Sequence, residues 1–159
     1  MAEDTLVDFA VMVFREDGQW QAGSMPSRSA EHLSTLLHAV QQQPSEGACL
    51  ALCSYGDDFF LVLRPDGDHV RLMLSDASAA DEWPVARMAL EMLDEPIPDE
   101  DEPMRPAGDL EIFADLGMGS MELTAACSDL ELYPDEILGQ VAARIGFGLQ
   151  FEAIVDNFD

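Results

Sequence analysis

The thiols are the first side chains here that could carry chemistry. There are 3, Cys49, Cys53 and Cys127. Cys49 and Cys53 lie within Ala48–Ser54, an apolar run that predicts a strand. A four-residue step along a strand spans about 13 Å, whereas a zinc–sulfur bond is about 2.3 Å. One ion therefore cannot hold both sulfurs, and the pair is expected to be two small buried residues on one strand face. An odd count without dense spacing gives no disulfide framework either. The 3 histidines are His32, His38 and His69. His32 and His38 sit six apart on one predicted helix and point to different sides. None of the three stands at ligand spacing from a cysteine or carboxylate, so neither a metal nor a cofactor is expected.

Other catalytic patterns are equally thin. Gly117-Met118-Gly119-Ser120 lacks the Lys-Ser/Thr of a phosphate-binding loop and the third glycine of a dinucleotide fingerprint. It is expected to stop one helix and cap the next. No Gly-x-Ser-x-Gly elbow occurs. Asp57-Asp58 is expected in a turn. Asp99–Glu102 lacks the glycine and ligand spacing of a calcium loop and is expected to be a solvated acidic run. Met88, Met92, Met118 and Met121 either fill core or, if gathered, make an adaptable docking surface.

Carboxylates dominate. The chain of 159 residues holds 32 Asp+Glu against 7 basic residues, every one of them Arg, for a formal charge of −25. Such a surface repels phosphate, so no direct nucleic-acid binding and no anionic membrane contact are expected. No stretch reaches the ~20 apolar residues of a membrane helix. Met1-Ala2-Glu3-Asp4 lacks the basic-then-apolar order of a signal peptide. A cytoplasmic protein with reduced thiols is expected. The 48% apolar content is enough for a core.

The elements that must position these residues fall into three stretches. Residues 1–93 are expected to form an α+β domain of order ββαβββα. Asp8–Arg15 is apolar on both faces, which demands a sheet covered on both sides. Asp17-Gly18 signals a hairpin into a weaker strand at Trp20 and Ala22. Pro26, Ser27 and Ser29 open a helix in which Leu33, Leu36, Leu37 and Val40 form one stripe, ended by Gln41–Gln43 and Pro44. Strands Ala48–Ser54, Phe59–Arg64 and His69–Ser75 follow, then a helix from Ala80 to Leu93 with Trp83, Ala86, Leu90 and Leu93 on one face. Residues 94–107, with six acids and three prolines in Asp94–Pro103, are expected to be an irregular linker. Residues 108–159 are expected to be a helical region. Asp109 heads a short helix to Leu116, Ser120 caps a second, and Tyr133-Pro134-Asp135-Glu136 starts a third that runs to Ile145. Gly148–Phe158 forms a last one.

Several blocks carry a family resemblance. They are Phe9-Ala10-Val11-x-Val13-x-Arg15-Glu16-Asp17-Gly18-x-Trp20, Leu74-Ser75-Asp76-Ala77 with Trp83-Pro84, Ala107-Gly108-Asp109-Leu110 and Ala114-Asp115-Leu116-Gly117. The fullest is Cys127-x-Asp129-Leu130-x-Leu132-Tyr133-Pro134-Asp135-Glu136-x-Leu138, followed by Gly146-Phe147-Gly148. Together they resemble the actinobacterial tRNA adenosine deaminase-associated proteins over nearly the whole chain. The resemblance implies a gene beside that of the deaminase that makes wobble inosine, an association that is genomic and not chemical. It does not make this chain the deaminase, whose zinc chemistry needs His-x-Glu and Pro-Cys-x-x-Cys. Here His32, His38 and His69 are followed two residues on by Ser34, Val40 and Arg71, and no Cys-x-x-Cys exists.

The ββαβββα order also resembles the profilin-like group with its roadblock and longin domains. That resemblance implies an antiparallel five-stranded sheet followed by a small C-terminal helical segment. Two helices cover one sheet face, and the other face must meet the C-terminal helices or a second copy of the chain. The leading expectation is a non-catalytic accessory protein whose acidic surface meets a basic partner, plausibly the tRNA adenosine deaminase. Asp129, Tyr133, Asp135 and Glu136 are the candidate contact residues. The alternative is a roadblock/longin-like homodimeric scaffold or small-GTPase-associated module. A hydrolase using surface carboxylates is the third reading.

Overall fold

A computed structural model describes residues 7–42 and 48–158. Six strands form one antiparallel sheet: β1 (Val7–Glu16), β2 (Gln19–Ser24), β3 (Cys49–Tyr55), β4 (Phe59–Asp66), β5 (His69–Leu74) and β6 (Ala107–Gly108). Their order across the sheet is β2-β1-β3-β4-β5-β6. Among the described residues five α-helices accompany them: α1 (Leu33–Gln42), α2 (Pro84–Leu93), α3 (Ser120–Cys127), α4 (Pro134–Ile145) and α5 (Gly148–Asp156). The helix stop expected at Gln43 and Pro44 lies outside the described residues. Among the described residues no helix is long and apolar enough to cross a membrane.

The expected five-stranded, profilin-like sheet is not the one observed. Element order alone does not say which strand lies beside β1. Here β3 pairs with β1, matching Val13 to Leu50 and Ala10 to Cys53, and β4 and β5 follow outward as a meander. A sixth strand then closes the far edge, with Leu74 opposite Ala107 and Met73 opposite Gly108. Two residues are too short to show any periodicity, so the sequence divides this strand, Ala107 falling to the expected linker and Gly108 to the expected helical region. The roadblock/longin-type scaffold loses its architectural basis with that correction.

Gly108 shows how close this edge is packed. Its φ is +93°, and a Cβ there would stand 2.4 Å from the Leu72 carbonyl oxygen. Only glycine fits such an approach.

Both sheet faces are covered, as the doubly apolar β1 requires. Ala10, Met12, Ala51, Cys53, Leu61 and Leu63 meet α1 and α2 through Leu36, Val40, Ala86 and Leu90. Val11, Val13, Leu52, Phe60 and Val62 on the other face meet the C-terminal region through Phe113, Leu123, Leu138, Val141 and Phe147. Each large side chain so buried contributes roughly 1.5–3 kcal/mol of transfer free energy. All of β3 is buried, as befits a strand near the middle of a three-layer stack. Its Tyr55 hydroxyl donates to the Ala30 carbonyl at 2.7 Å, so the buried polar tip is satisfied.

Arg64 on β4 and Arg71 on β5 are directly opposite each other. Like charges in that position repel. Each is held by a carboxylate from the segment after β6. Arg64 makes a two-pronged pair with Asp115 at 2.7 and 2.8 Å, and Arg71 pairs with Asp109. The Arg64 hydrogen bonds hold the Asp115 carboxyl below its ordinary pKa. The bond to Asp109 likewise raises that of Arg71.

Helix boundaries shift where capping outweighs pattern. The helix expected from Ala80 splits into a 3-10 turn, Ala77–Asp81, and α2, which begins at Pro84. Pro84 has no N–H to give the preceding turn and is best placed at a helix start. Asp109 heads a series of turns rather than an α-helix, its Oδ1 accepting from the Glu111 N–H at 3.0 Å. Gly119, not Ser120, is the residue that caps α3.

Candidate interaction surface

Four acidic segments converge beyond the Phe59 end of β4. The first is the β3–β4 turn, where Gly56 and Asp57 both have positive φ, 54° and 59°. That is the requirement of a tight primed hairpin turn. Asp8 pins it, its Oδ2 accepting from the Asp57 N–H at 3.0 Å and the Ser54 hydroxyl at 3.2 Å. The second is the exit from β5. Ser75 stays joined to Phe60, whose N–H donates to its hydroxyl at 2.8 Å. Asp76 caps the following turn by accepting from the Ser78 N–H at 2.9 Å. Asp81 and Glu82 close that turn. The Trp83 indole N–H then reaches back to Asp58 at 2.9 Å, tying the first segment to the second.

The third segment is the Pro-rich stretch. It forms no helix or strand between Asp94 and Pro106. It is attached all the same: the Ala77 N–H donates to the Arg105 carbonyl at 2.8 Å, and Pro98 is buried. The fourth is the loop between α3 and α4. Asp129 turns it by accepting from the Glu131 N–H at 3.0 Å. Glu136 secures the start of α4 by accepting from the Tyr133 N–H at 2.9 Å.

Two clefts lie between these segments. One, of about 390 Å³, is lined by Asp58, Asp76, Asp81, Glu82 and Trp83 on one side and by Asp99, Glu100 and Glu102 on the other. Its neighbour, of about 210 Å³, shares Asp58 and Asp76 and adds Asp57, Asp129 and an apolar wall of Cys127, Leu130, Tyr133 and Ile137. Nine acids line the two clefts and no Arg, Lys or His does. None of the nine takes part in the ion pairs found among the described residues, which join Arg64, Arg71, Arg105 and Arg144 to other acids. Leu130 and Tyr133 are 85% and 60% exposed beside the smaller cleft.

The four candidate contact residues divide. Asp129 and Tyr133 line the smaller cleft. Asp135 and Glu136 are exposed on the first turn of α4 but do not line it. Sequence reasoning missed Asp58, Asp76 and Trp83 as parts of one surface. They are far apart in the chain, and no local signal marks their convergence. The four methionines are not gathered: Met118 is buried, and Met88 and Met92 on α2 are separated by the sheet from Met121 on α3.

Chemically, the surface offers charge and apolar area. The one thiol at the smaller cleft is Cys127, whose pKa burial pushes up to about 12, so it stays a neutral thiol. Cys49 and Cys53 sit in the core on the other side of the sheet. All three histidines are exposed, away from both clefts. Among the described residues no group of three or more His, Cys, Asp or Glu is arranged to hold a metal ion.

A family model described as "Rv3753c-like tRNA adenosine deaminase-associated protein" matches residues 8–148. The chain belongs to that family. It is also similar to Protein Rv3753c of Mycobacterium tuberculosis (strain ATCC 25618 / H37Rv), being 35% identical over 160 residues that cover 98% of this chain and 92% of that protein. No solved structure matches it. The family is one of deaminase-associated proteins, and the chain lacks the His-x-Glu and Cys-x-x-Cys of the deaminase itself. Two of the blocks that carry the resemblance contribute to the clefts described above, one through Asp76 and Trp83 and the other through Cys127, Asp129, Leu130 and Tyr133.

Proposed function

We propose that this protein binds the tRNA adenosine deaminase of its own cell, in the cytoplasm, and binds no tRNA by itself. What carries the reading is an end of the molecule lined by nine uncompensated acids, in a member of a family named for association with that enzyme. An enzyme that handles tRNA presents basic residues to phosphate. A surface lined by carboxylates complements those residues and raises the rate of encounter more than the final affinity. Asp129, Tyr133, Asp135 and Glu136 lie at this end and are the proposed contacts. The same charge, −25 overall, opposes direct contact with RNA.

The test is a titration of purified deaminase at low and at moderate salt, repeated with Asp135→Asn combined with Glu136→Gln. Glutamine keeps the acceptor that Tyr133 uses, so the helix start is preserved. The expected outcome is binding at low salt that weakens as salt is added, since screening at physiological ionic strength acts within about 8 Å. The double substitution should weaken it further. No binding at low salt removes the deaminase as partner. Binding indifferent to both salt and substitution removes the electrostatic mechanism and these contacts.

A further inference from the structure

We infer that the smaller cleft is a socket for one apolar side chain on a basic segment of a protein partner, with arginines or lysines on either side of that anchor. The inference rests on the reading above in taking the partner to be basic, and adds how it is gripped. The first observation is the wall of the cleft. Cys127 and Ile137 are buried at 4% each, while Leu130 and Tyr133 stand 85% and 60% exposed beside them. The folded chain makes little use of these two side chains. Burying a leucine or an aromatic ring against the cleft removes a large apolar area from water.

The second observation is size. At about 210 Å³ the cleft is below the roughly 300–1,000 Å³ of sites that enclose a cofactor or drug-sized ligand. It has room for an anchor, not for a whole small molecule. The third is charge. Asp57, Asp58, Asp76 and Asp129 rim the cleft with no cation among its lining residues. Asp58 and Asp76 are also the wall shared with the larger cleft, where Asp81, Glu82 and Glu100 continue the same sign. An apolar side chain seated by Leu130 and Tyr133 therefore has carboxylates on its flanks, which favour Arg or Lys there. Trp83 offers a ring in the larger cleft against which a guanidinium can stack.

The experiment uses the full chain and three synthetic peptides in isothermal calorimetry. The first is Arg-Arg-Leu-Arg-Arg within a neutral frame, the second replaces its Leu by Ala, and the third replaces its Arg residues by Gln. The first peptide should bind at low salt, and each replacement should weaken it at least tenfold. Leu130→Ala combined with Tyr133→Ala should weaken the first peptide to the level of the second, with folding verified by circular dichroism. Equal binding of the first two peptides would reduce the surface to bulk charge and overturn the socket. So would indifference to the double substitution, or no binding of the first peptide at all. The two readings fail separately. Peptide binding without deaminase binding keeps the socket and discards that partner. Deaminase binding untouched by the double substitution does the reverse.

Discussion

At one end of the β4–β5 pair, Arg64 and Arg71 stand opposite each other, and each is held by a carboxylate, Asp115 or Asp109. At the other end, past Phe59 and Leu74, Asp57, Asp58 and Asp76 meet Asp99, Glu100 and Glu102 with no cation among them. The same two strands thus carry compensated charge at one end and uncompensated charge at the other. Where charge is paired, it fastens the C-terminal region to the sheet. Where it is unpaired, some of the acids accept hydrogen bonds that hold turns, but no ion pair offsets their mutual repulsion, which salt or a cationic partner would relieve.

The largest effect should come from the short strand that links the two ends. Gly108→Ala would force a Cβ to 2.4 Å from the Leu72 oxygen at a positive φ. A loss of about 2–4 kcal/mol in urea unfolding is expected. A loss under about 0.5 kcal/mol would mean that β6 is not a fixed part of the sheet.

Next comes Arg64→Ala, which removes a half-exposed pair and a 2.7 Å bond to the Ile112 carbonyl. Roughly 1–2 kcal/mol should be lost near neutral pH. The sign with pH is fixed. The Asp115 carboxyl is held below its ordinary value of 3.8 by Arg64. Its share of stability is therefore present above 3.8 and fades as pH falls through the lowered value. The gap between wild type and variant should narrow below that range. A gap constant with pH would assign the effect to the Ile112 bond alone.

The smallest effect belongs to the unpaired end and has the opposite sign. Asp81→Asn with Glu100→Gln should leave the fold unchanged or stabilise it by roughly 0.2–0.5 kcal/mol, most at low salt. A clear destabilisation would show that these acids have fold-holding partners, and the contrast between the ends would collapse.

Much of the framework was legible because it is local. The doubly apolar Asp8–Arg15, the Leu33–Val40 stripe and the Pro134 helix start each encode a period or a cap within about ten residues. What was not legible depends on pairing across distance. Two residues, Ala107 and Gly108, give no pattern, yet they complete the sheet. The strand beside β1 is chosen by which faces must be buried together, not by element order. The candidate surface divides in the same way. Asp129 and Tyr133 were visible as a charged helix start. Asp58 reads as an ordinary turn residue and Asp76 only as part of a family block, because only the folded hairpin brings them to one wall.

Trp83 has a consequence of a different kind. The chain has 2 tryptophans. Trp20 is 9% exposed and packs against Phe147. Trp83 is half-buried at the larger cleft, edge-on to Tyr55 and Phe59, with its indole N–H on Asp58. The two indoles therefore occupy different dielectric surroundings and should differ in emission wavelength and in access to a dissolved quencher. Caesium, a cationic quencher, is drawn to the acidic cleft, whereas iodide is repelled from it. The molecule thus carries its own optical gauge of that end: the ratio of caesium to iodide quenching reads the local potential, and it falls when a basic chain settles over Trp83.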